Sequence, residues 1–445
     1  MPAPSRATSG LLRATVTLLM GGALAQLVPL LLGPVLARLF TPQAFGVFTT
    51  FSTVAATVAV VACGRYEFAL PMARDEDEAA VLLALCVRIG LLVLVLSVPL
   101  AALLNMTGHL PLPWLLPLAV AAAGALQLLI MWSNRAQRFR ALAISRVLQY
   151  GGAALLQVAL GVALWGAARQ PAGAEAAWAL VIAPVLAGVL AALVLVQPAP
   201  AGGWRALLPA RAHPGMQQAM RQVAVKFRDF PLLNTPHAFL GALQDALAVA
   251  MLVAFSGHAA AGFWGLGLRY LKAPATLVGS AVSQALYPRL AGAQPADAQR
   301  AVRQLMALLG VVALGSMLVL MVAGPWLFRL VFGAAWQEAG ELARALAPYI
   351  AVHFVAAPLA VVTMAWKAQR WAFRWAVFGQ AAFVAALGLG LKLGGLMAGA
   401  WAVSAAMVVY FGIYFWRLAF WRDIPSPDAQ SPAKTEGKQG MEDQP

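Results

Sequence analysis

Residues 79–104 read AAVLLALCVRIGLLVLVLSVPLAALL, twenty-six residues with one charge, Arg88. A helix needs roughly 20 predominantly apolar residues to cross a bilayer, so this segment is a membrane span. Eleven more segments qualify on either side: 12–36, 45–64, 112–133, 146–166, 176–197, 231–254, 260–287, 304–331, 342–365, 373–391 and 395–417. The fold class read from them is all-α integral membrane, twelve transmembrane helices in two lobes of six.

Composition agrees. Of 445 residues, 62% are hydrophobic and 11% charged, against about 25% charged in an ordinary soluble domain. Leaving that apolar surface in water invites aggregation, which excludes a soluble enzyme, a nucleic-acid-binding protein and a disordered chain. The net charge of +15, from 31 Lys and Arg against 16 Asp and Glu, reflects cations placed between spans, so no nucleic-acid partner is expected. Cys63 and Cys86 fall in or beside spans and form no disulfide framework or CxxC metal motif. The N-terminal apolar run continues to Leu36 without a small-residue cleavage site, so it is a span and not a signal peptide.

The longest non-spanning stretch before the tail, 198–230, holds Pro198, Pro200, Gly202, Gly203 and Pro214. It divides the chain into an N-terminal lobe (1–197), a cytoplasmic linker (198–230), a C-terminal lobe (231–422) and a polar, disordered cytoplasmic tail (423–445). With the N-terminus inside, inner segments carry 23 of the 31 Lys and Arg. The outer ones carry five: Arg38, Arg169, Arg329, Arg344 and Lys392. The positive-inside rule therefore puts both termini in the cytoplasm. A faint repeat at an offset of 216 aligns the turn Thr41-Pro42-Gln43-Ala44-Phe45-Gly46 with Gly257-His258-Ala259-Ala260-Ala261-Gly262, setting Gly46 on Gly262. Farther on, Ala69-Leu70-Pro71 matches Leu286-Tyr287-Pro288 with one extra residue. Six spans per half make these parallel repeats.

No GxxxxGK[ST] loop, HExxH or GxSxG is present, and the five histidines are scattered. The sequence offers no catalytic constellation, so no enzyme activity and no cofactor are expected; movement across the membrane fits better. Ionisable groups within spans are costly and mark function. Asp245 lies nine residues before the outer end of the seventh span and Arg269 nine after the start of the eighth. Both should sit about 13 Å below the outer surface, where they could pair. Lys272 follows Arg269 on the same helical face, and Pro274 should break the helix there. Arg88 could line a cavity or snorkel. Arg65 and Glu67 close the second span, Arg65 either greeting an anionic headgroup or anchoring the inner end. Asp75-Glu76-Asp77-Glu78 complements the start of the third helix. Arg135, Arg138, Arg140 and Arg146 mark the inner side and are candidates for gripping headgroup phosphate, as is Arg228 beside the seventh span. Pro29, Pro34, Pro231 and Pro236 mark bends that flank a central site. Gly390, Gly394, Gly395 and Gly399 have the spacing of a packing face.

These residues resemble a known family. Leu36-Ala37-Arg38-Leu39-Phe40-Thr41-Pro42-Gln43-Ala44-Phe45-Gly46 is similar to the first outer turn of the polysaccharide-biosynthesis flippases, within the multidrug/oligosaccharidyl-lipid/polysaccharide (MOP) exporter superfamily. Arg65-Tyr66-Glu67-Phe68-Ala69-Leu70-Pro71, Phe227-Arg228-Asp229-Phe230-Pro231-Leu232 and Gly262-Phe263-Trp264 through Arg269-Tyr270-Leu271-Lys272-Ala273-Pro274 resemble its later landmarks. The likeness covers about 14–290; the last four helices match by hydropathy.

The resemblance implies a MATE-like pair of six-helix lobes around a central cavity. It implies alternating access that moves an undecaprenyl-pyrophosphate-linked oligosaccharide (an O-antigen, capsule or exopolysaccharide repeat unit) across the bacterial inner membrane. Cavity cations would hold the pyrophosphate: Arg269 and Lys272 first, then Arg88 and Arg65. Asp245 becomes the candidate for coupling to H+ or Na+, or for an ion pair. Arg135, Arg138, Arg146 and Arg228 would touch inner headgroups, and a polysaccharide polymerase is the expected partner complex. Rival expectations are a drug/cation antiporter of the same superfamily, a lipid II flippase, or a non-transporting membrane scaffold. An antiporter for cationic drugs needs acidic cavity residues, and a lipid II flippase is expected to have fourteen spans.

Overall fold

A computed structural model describes residues 26–108, 110–197, 199, 214–421 and 424. The first part of the opening span, most of the linker's Pro/Gly stretch and the tail apart from Ile424 lie outside the described residues. Within them the chain is helical. The one exception to a strand-free architecture is an isolated bridge between Phe40 and Ala172.

The N-terminal lobe contains α1 (Gln26–Leu39), α2 (Pro42–Ala59), α3 (Glu76–Thr107), α4 (Leu116–Arg135), α5 (Phe139–Ala168) and α6 (Trp178–Leu195). After it comes α7 (Pro214–Lys226). The C-terminal lobe is α8 (Thr235–Gly292), α9 (Pro295–Phe332), α10 (Gln337–Ala365) and α11 (Gln369–Ala419). α8 leaves helical geometry at Gly257 (φ 81°), and α11 at Gly394 and Gly395 (φ 69° at the latter). Glycine accepts positive φ without a Cβ clash, so each helix runs out and back as two spans. Counting those arms separately and setting α7 aside gives twelve described helices; eight of the continuous helices are long and apolar enough to cross a membrane. Gly390 presses against Ala398 and Gly399 beside the second turn, the packing role its spacing implied. The expected break at Pro274 does not occur: α8 stays helical there, Gly257 being its one non-helical residue. A lost backbone hydrogen bond is tolerable where neighbouring helices enclose it.

Local chemistry sets the ends. Thr41 caps α2, accepting from the Ala44 amide at 3.4 Å, with Pro42 in the first turn. Asp75 caps α3 by accepting from the Glu78 amide at 2.7 Å, while Glu78 accepts from the Arg74 amide at 2.8 Å. This reciprocal capping box realises the role expected of the acidic run. The hydroxyls of Thr49, Thr50, Thr53 and Thr57 each donate to the carbonyl four residues earlier, which satisfies them in an apolar setting. Outward faces are apolar: on α9, Leu308, Val311, Leu318, Val319 and Val322 are exposed. Acyl chains cover such a face in a membrane.

The largest buried cluster does not belong to one lobe. It joins Leu36, Phe40, Phe45 and Val47 to Leu252, Phe263, Trp264, Phe332 and Trp336. The lobes are sealed here, on the face away from the Arg-rich loops. The Trp336 Nε1–H donates to the Ala37 carbonyl at 2.7 Å, and the Arg38 guanidinium to Leu330 O at 3.2 Å. At its centre are two reciprocal approaches. A Cβ on Gly46 would collide with the His258 carbonyl oxygen, and a Cβ on Gly262 with that of Pro42. Pro42 and His258 are themselves 216 apart. The faint sequence repeat is thus a physical two-fold contact, each glycine admitting the backbone four residues before the other.

α7 adds to the expected linker. Met220, Val223 and Phe227 are buried among Leu70, Leu83, Cys86 and Trp132, so this stretch packs on the N-terminal lobe. Lys226 pairs with Glu78.

Candidate functional site

Beyond the seam, toward the Arg-rich face, the lobes part around a cavity of about 670 Å³. A smaller space of about 300 Å³ continues it beneath the seam and shares Thr49, Thr53, Asp245 and Arg269. α8 supplies the C-terminal wall. Asp245 and Arg269 are each twelve residues from Gly257, so their Cα atoms lie at one depth, about 18 Å from the turn. That is deeper than expected because the two arms run on to a single-residue turn. Both side chains are exposed, and both line the cavity. Lys272 lies one turn further on and is half-buried, its ammonium 5.5 Å from the centre of the Tyr349 ring.

The expected pairing of Asp245 with Arg269 does not form. No ion pair within 4.0 Å joins Asp245 to either cation among the described residues. The carboxylate instead accepts from the Gln244 amide at 3.5 Å. Both partners open onto free space, where solvation competes with the pair. The cavity therefore holds two cations and one carboxylate without a closed bridge among them.

Arg88 and Arg65 are not brought to this cavity. Arg88 is half-buried in α3 with its Nε unpartnered. Arg65 sits at positive φ (62°) in the turn after α2, its guanidinium 5.2 Å from the Phe68 ring centre. Neither is among the residues that line the cavity or the smaller space beneath the seam. Beside Arg65, Glu67 is buried with Oε2 unpartnered. Desolvation holds its carboxyl above the usual range, and the Arg65 charge offsets this only in part.

Arg135 corrects a further expectation. Its guanidinium donates to the carbonyls of Leu70 (3.2 Å), Ala73 (2.8 Å) and Asp75 (2.9 Å) and meets Glu76 at 3.2 Å. Those acceptors occupy both terminal nitrogens of the fork that would have gripped a phosphate, leaving only Nε unpartnered, so Arg135 is a tie between α4 and the turn before α3. Arg138 is half-buried with Nη1 unpartnered, whereas Arg146 and Arg228 are exposed.

Charge alone missed the opposite wall. Thr49 and Thr53 of α2, with Gln149, Tyr150 and Gln157 of α5, line the cavity from the N-terminal lobe, Thr49 lying against Gly265 of α8. A signal was available: the second span carries Thr49, Thr50, Ser52, Thr53 and Thr57 amid apolar residues.

Twelve helices in two lobes, sealed at one end around a cavity between them, define an all-helical multi-pass membrane fold. Among solved structures, an inward-facing multidrug resistance MATE family transporter of the MOP superfamily matches with a TM-score of 0.63 at 12% identity, over 90% of this chain and 93% of the other. Lipid II flippase MurJ in an inward closed conformation gives 0.65 at 11% identity, over 92% and 90%. The Vibrio cholerae MATE transporter VcmN gives 0.52 at 16% identity, over 92% and 95%. No curated protein matches the chain. Residues 35–341 match the profile of a polysaccharide biosynthesis protein, and the chain belongs to that family.

Proposed function

We propose that this protein is a flippase, carrying an undecaprenyl-pyrophosphate-linked oligosaccharide across the bacterial inner membrane by alternating access. It moves its substrate without altering it and is not an enzyme. The observation that carries the reading is the interlobe cavity, where Arg269 and Lys272 stand on one wall and, among the described residues, neither is closed into an ion pair. Two cations within one helical turn suit a pyrophosphate, whose oxygens accept several charge-assisted hydrogen bonds at once. Membership of a polysaccharide-biosynthesis family supports a saccharide-bearing cargo.

In this reading the Arg-rich face is cytoplasmic, as are both termini, and the substrate enters from that side. Arg146 and Arg228, being exposed there, contact headgroups. The glycine-lined seam must part to release the substrate at the far leaflet, where an O-antigen, capsule or exopolysaccharide polymerase takes it. Asp245, open to the same cavity, is the group through which H+ or Na+ resets the cycle.

One observation favours a second reading. A cavity-facing carboxylate is what a drug/cation antiporter uses, and the MATE likeness shows that the fold accommodates one. One experiment separates the two. In a host with the gene deleted and complemented by Arg269→Ala, Lys272→Ala, the flippase predicts lost surface polysaccharide. It also predicts a completed repeat unit accumulating on its lipid carrier, measured by mass spectrometry, with the variant at normal membrane level. Unchanged carrier lipids with raised sensitivity to cationic compounds would favour the antiporter. Wild-type display with neither change would leave a scaffold.

A further inference from the structure

The wall facing the cations has a chemistry of its own. Among its described residues it carries no carboxylate, ammonium or guanidinium. Its polar groups are hydroxyls, amides and a phenol. Two of them, Gln149 and Tyr150, lie in Val147–Gly152, where α5 widens into a π-helical turn. Such turns are rare and recur at functional sites, because the extra residue rotates side chains out of the regular α-helical register.

Gln157 offers an internal control. It is also on α5 and also lines the cavity, but its Nε2 donates to the Leu180 carbonyl at 2.8 Å, so it is committed to the fold. Among the described residues the Gln149 side-chain amide has no hydrogen-bond partner and neither has the Tyr150 hydroxyl, Tyr150 being 45% exposed. An uncommitted amide in a membrane-spanning helix needs a partner from the cavity. On the same lobe, Thr49 and Thr53 donate their hydroxyl protons to their own helix, which leaves the oxygens as acceptors.

We propose that Gln149 and Tyr150, with Thr49 and Thr53, form a subsite for the saccharide of a pyrophosphate-linked cargo. An amide can donate and accept toward vicinal hydroxyls, an aromatic face can cover the C–H side of a pyranose, and threonine oxygens can accept sugar O–H groups. A neutral wall suits a neutral sugar while the opposite wall holds the diphosphate. This rests on the flippase reading and adds to it the residues that select among glycans.

The test uses the purified full chain in lipid nanodiscs and native mass spectrometry with two probes. One is bare undecaprenyl pyrophosphate; the other is the pool of polyprenyl-pyrophosphate saccharides extracted from the host's membranes. The wild type is expected to prefer the glycosylated lipids. In Gln149→Leu, Tyr150→Leu that preference should fall by about tenfold, the size of a couple of lost hydrogen bonds. Tyr150→Phe, which keeps the ring, should retain most of it, and Gln149→Leu alone should lose part, so a folding defect in the double variant would not hide the result. A full preference in the double variant overturns the subsite and leaves the flippase standing. A wild type that binds neither probe overturns the flippase reading itself. Arg269→Ala should weaken both probes together.

Discussion

At an offset of 216 the two lobes share their contacts at the seam and differ in the cavity. Leu36 and Leu252, Ala44 and Ala260, and Val47 and Phe263 are repeat-related pairs, and all six residues are buried. Gly46 and Gly262 admit each other's backbone. Lower down, Asp245, Arg269 and Lys272 correspond to Pro29, Thr53 and Ala56. The reason is physical. Two similar lobes meeting about a two-fold axis must be equally thin on both sides, so the seam is symmetric. A ligand with one charged end needs countercharge from one side only, so the cavity is not. Symmetry marks what closes, and asymmetry marks what binds.

The largest expected effect comes from breaking the symmetric part. Gly46→Val or Gly262→Val puts methyl groups where a carbonyl oxygen now lies, and backbone cannot yield as a flexible side chain does. Each should abolish surface polysaccharide while membrane level stays within about twofold, since each lobe keeps its own core. A bifunctional thiol reagent long enough to span an arginine side chain should link Arg38→Cys to Leu330→Cys, residues now hydrogen-bonded across the seam, readily in the parent and poorly in the valine variants. Normal transport by either variant would show that the seam need not close this tightly.

How far this plan was legible follows from what each part depends on. Spans are set by the bilayer, so local hydropathy locates the long apolar helices, and the two helical hairpins are divided by the glycines at 257 and 394–395. Midplane charges are legible because few residues can bear the cost. Arg135 was misread because its acceptors lie some 60 residues away, and only the folded turn before α3 brings them near. The orientation of Gln149 and Tyr150 depends on a π-helical turn, which no hydrophobic period reveals. α7 left a trace in the spacing of Met220, Val223 and Phe227, obscured by the Pro/Gly-rich stretch before it.

A smaller and more informative effect comes from moving the asymmetry. Thr53 and Arg269 are repeat-related and line one cavity. Arg269→Thr should cost most of the transport. Adding Thr53→Arg returns a guanidinium from the opposite wall, and partial recovery of display, to about a tenth of wild type or more, is expected if charge at that depth is the requirement. No recovery, with both variants folded, would mean that the wall matters as well as the charge, as a sugar subsite on the N-terminal lobe would require.

The smallest effect sharpens the comparison at the Arg-rich ends of the lobes. There the N-terminal lobe's α2 ends at Ala59, the chain turns at positive φ through Gly64 and Arg65 and forms a 3-10 turn over Tyr66–Met72, while α8 runs on through the matching Leu286-Tyr287-Pro288. Glu67, buried in that turn, corresponds to Gln284. Burial raises the Glu67 carboxyl above its usual value of 4.5, so the folded state binds its proton more tightly than the unfolded chain does. Its contribution to stability is therefore fullest below the unfolded value and is lost as pH rises through the folded one. Glu67→Gln gives this turn the neutral amide of the other lobe. It should raise the melting temperature by about 2 °C at pH 8, with the gain shrinking to nothing near pH 4. A variant that instead melts lower at pH 8 would mean that the charged carboxylate, through Arg65, holds the turn, and that this end of the lobe needs its charge.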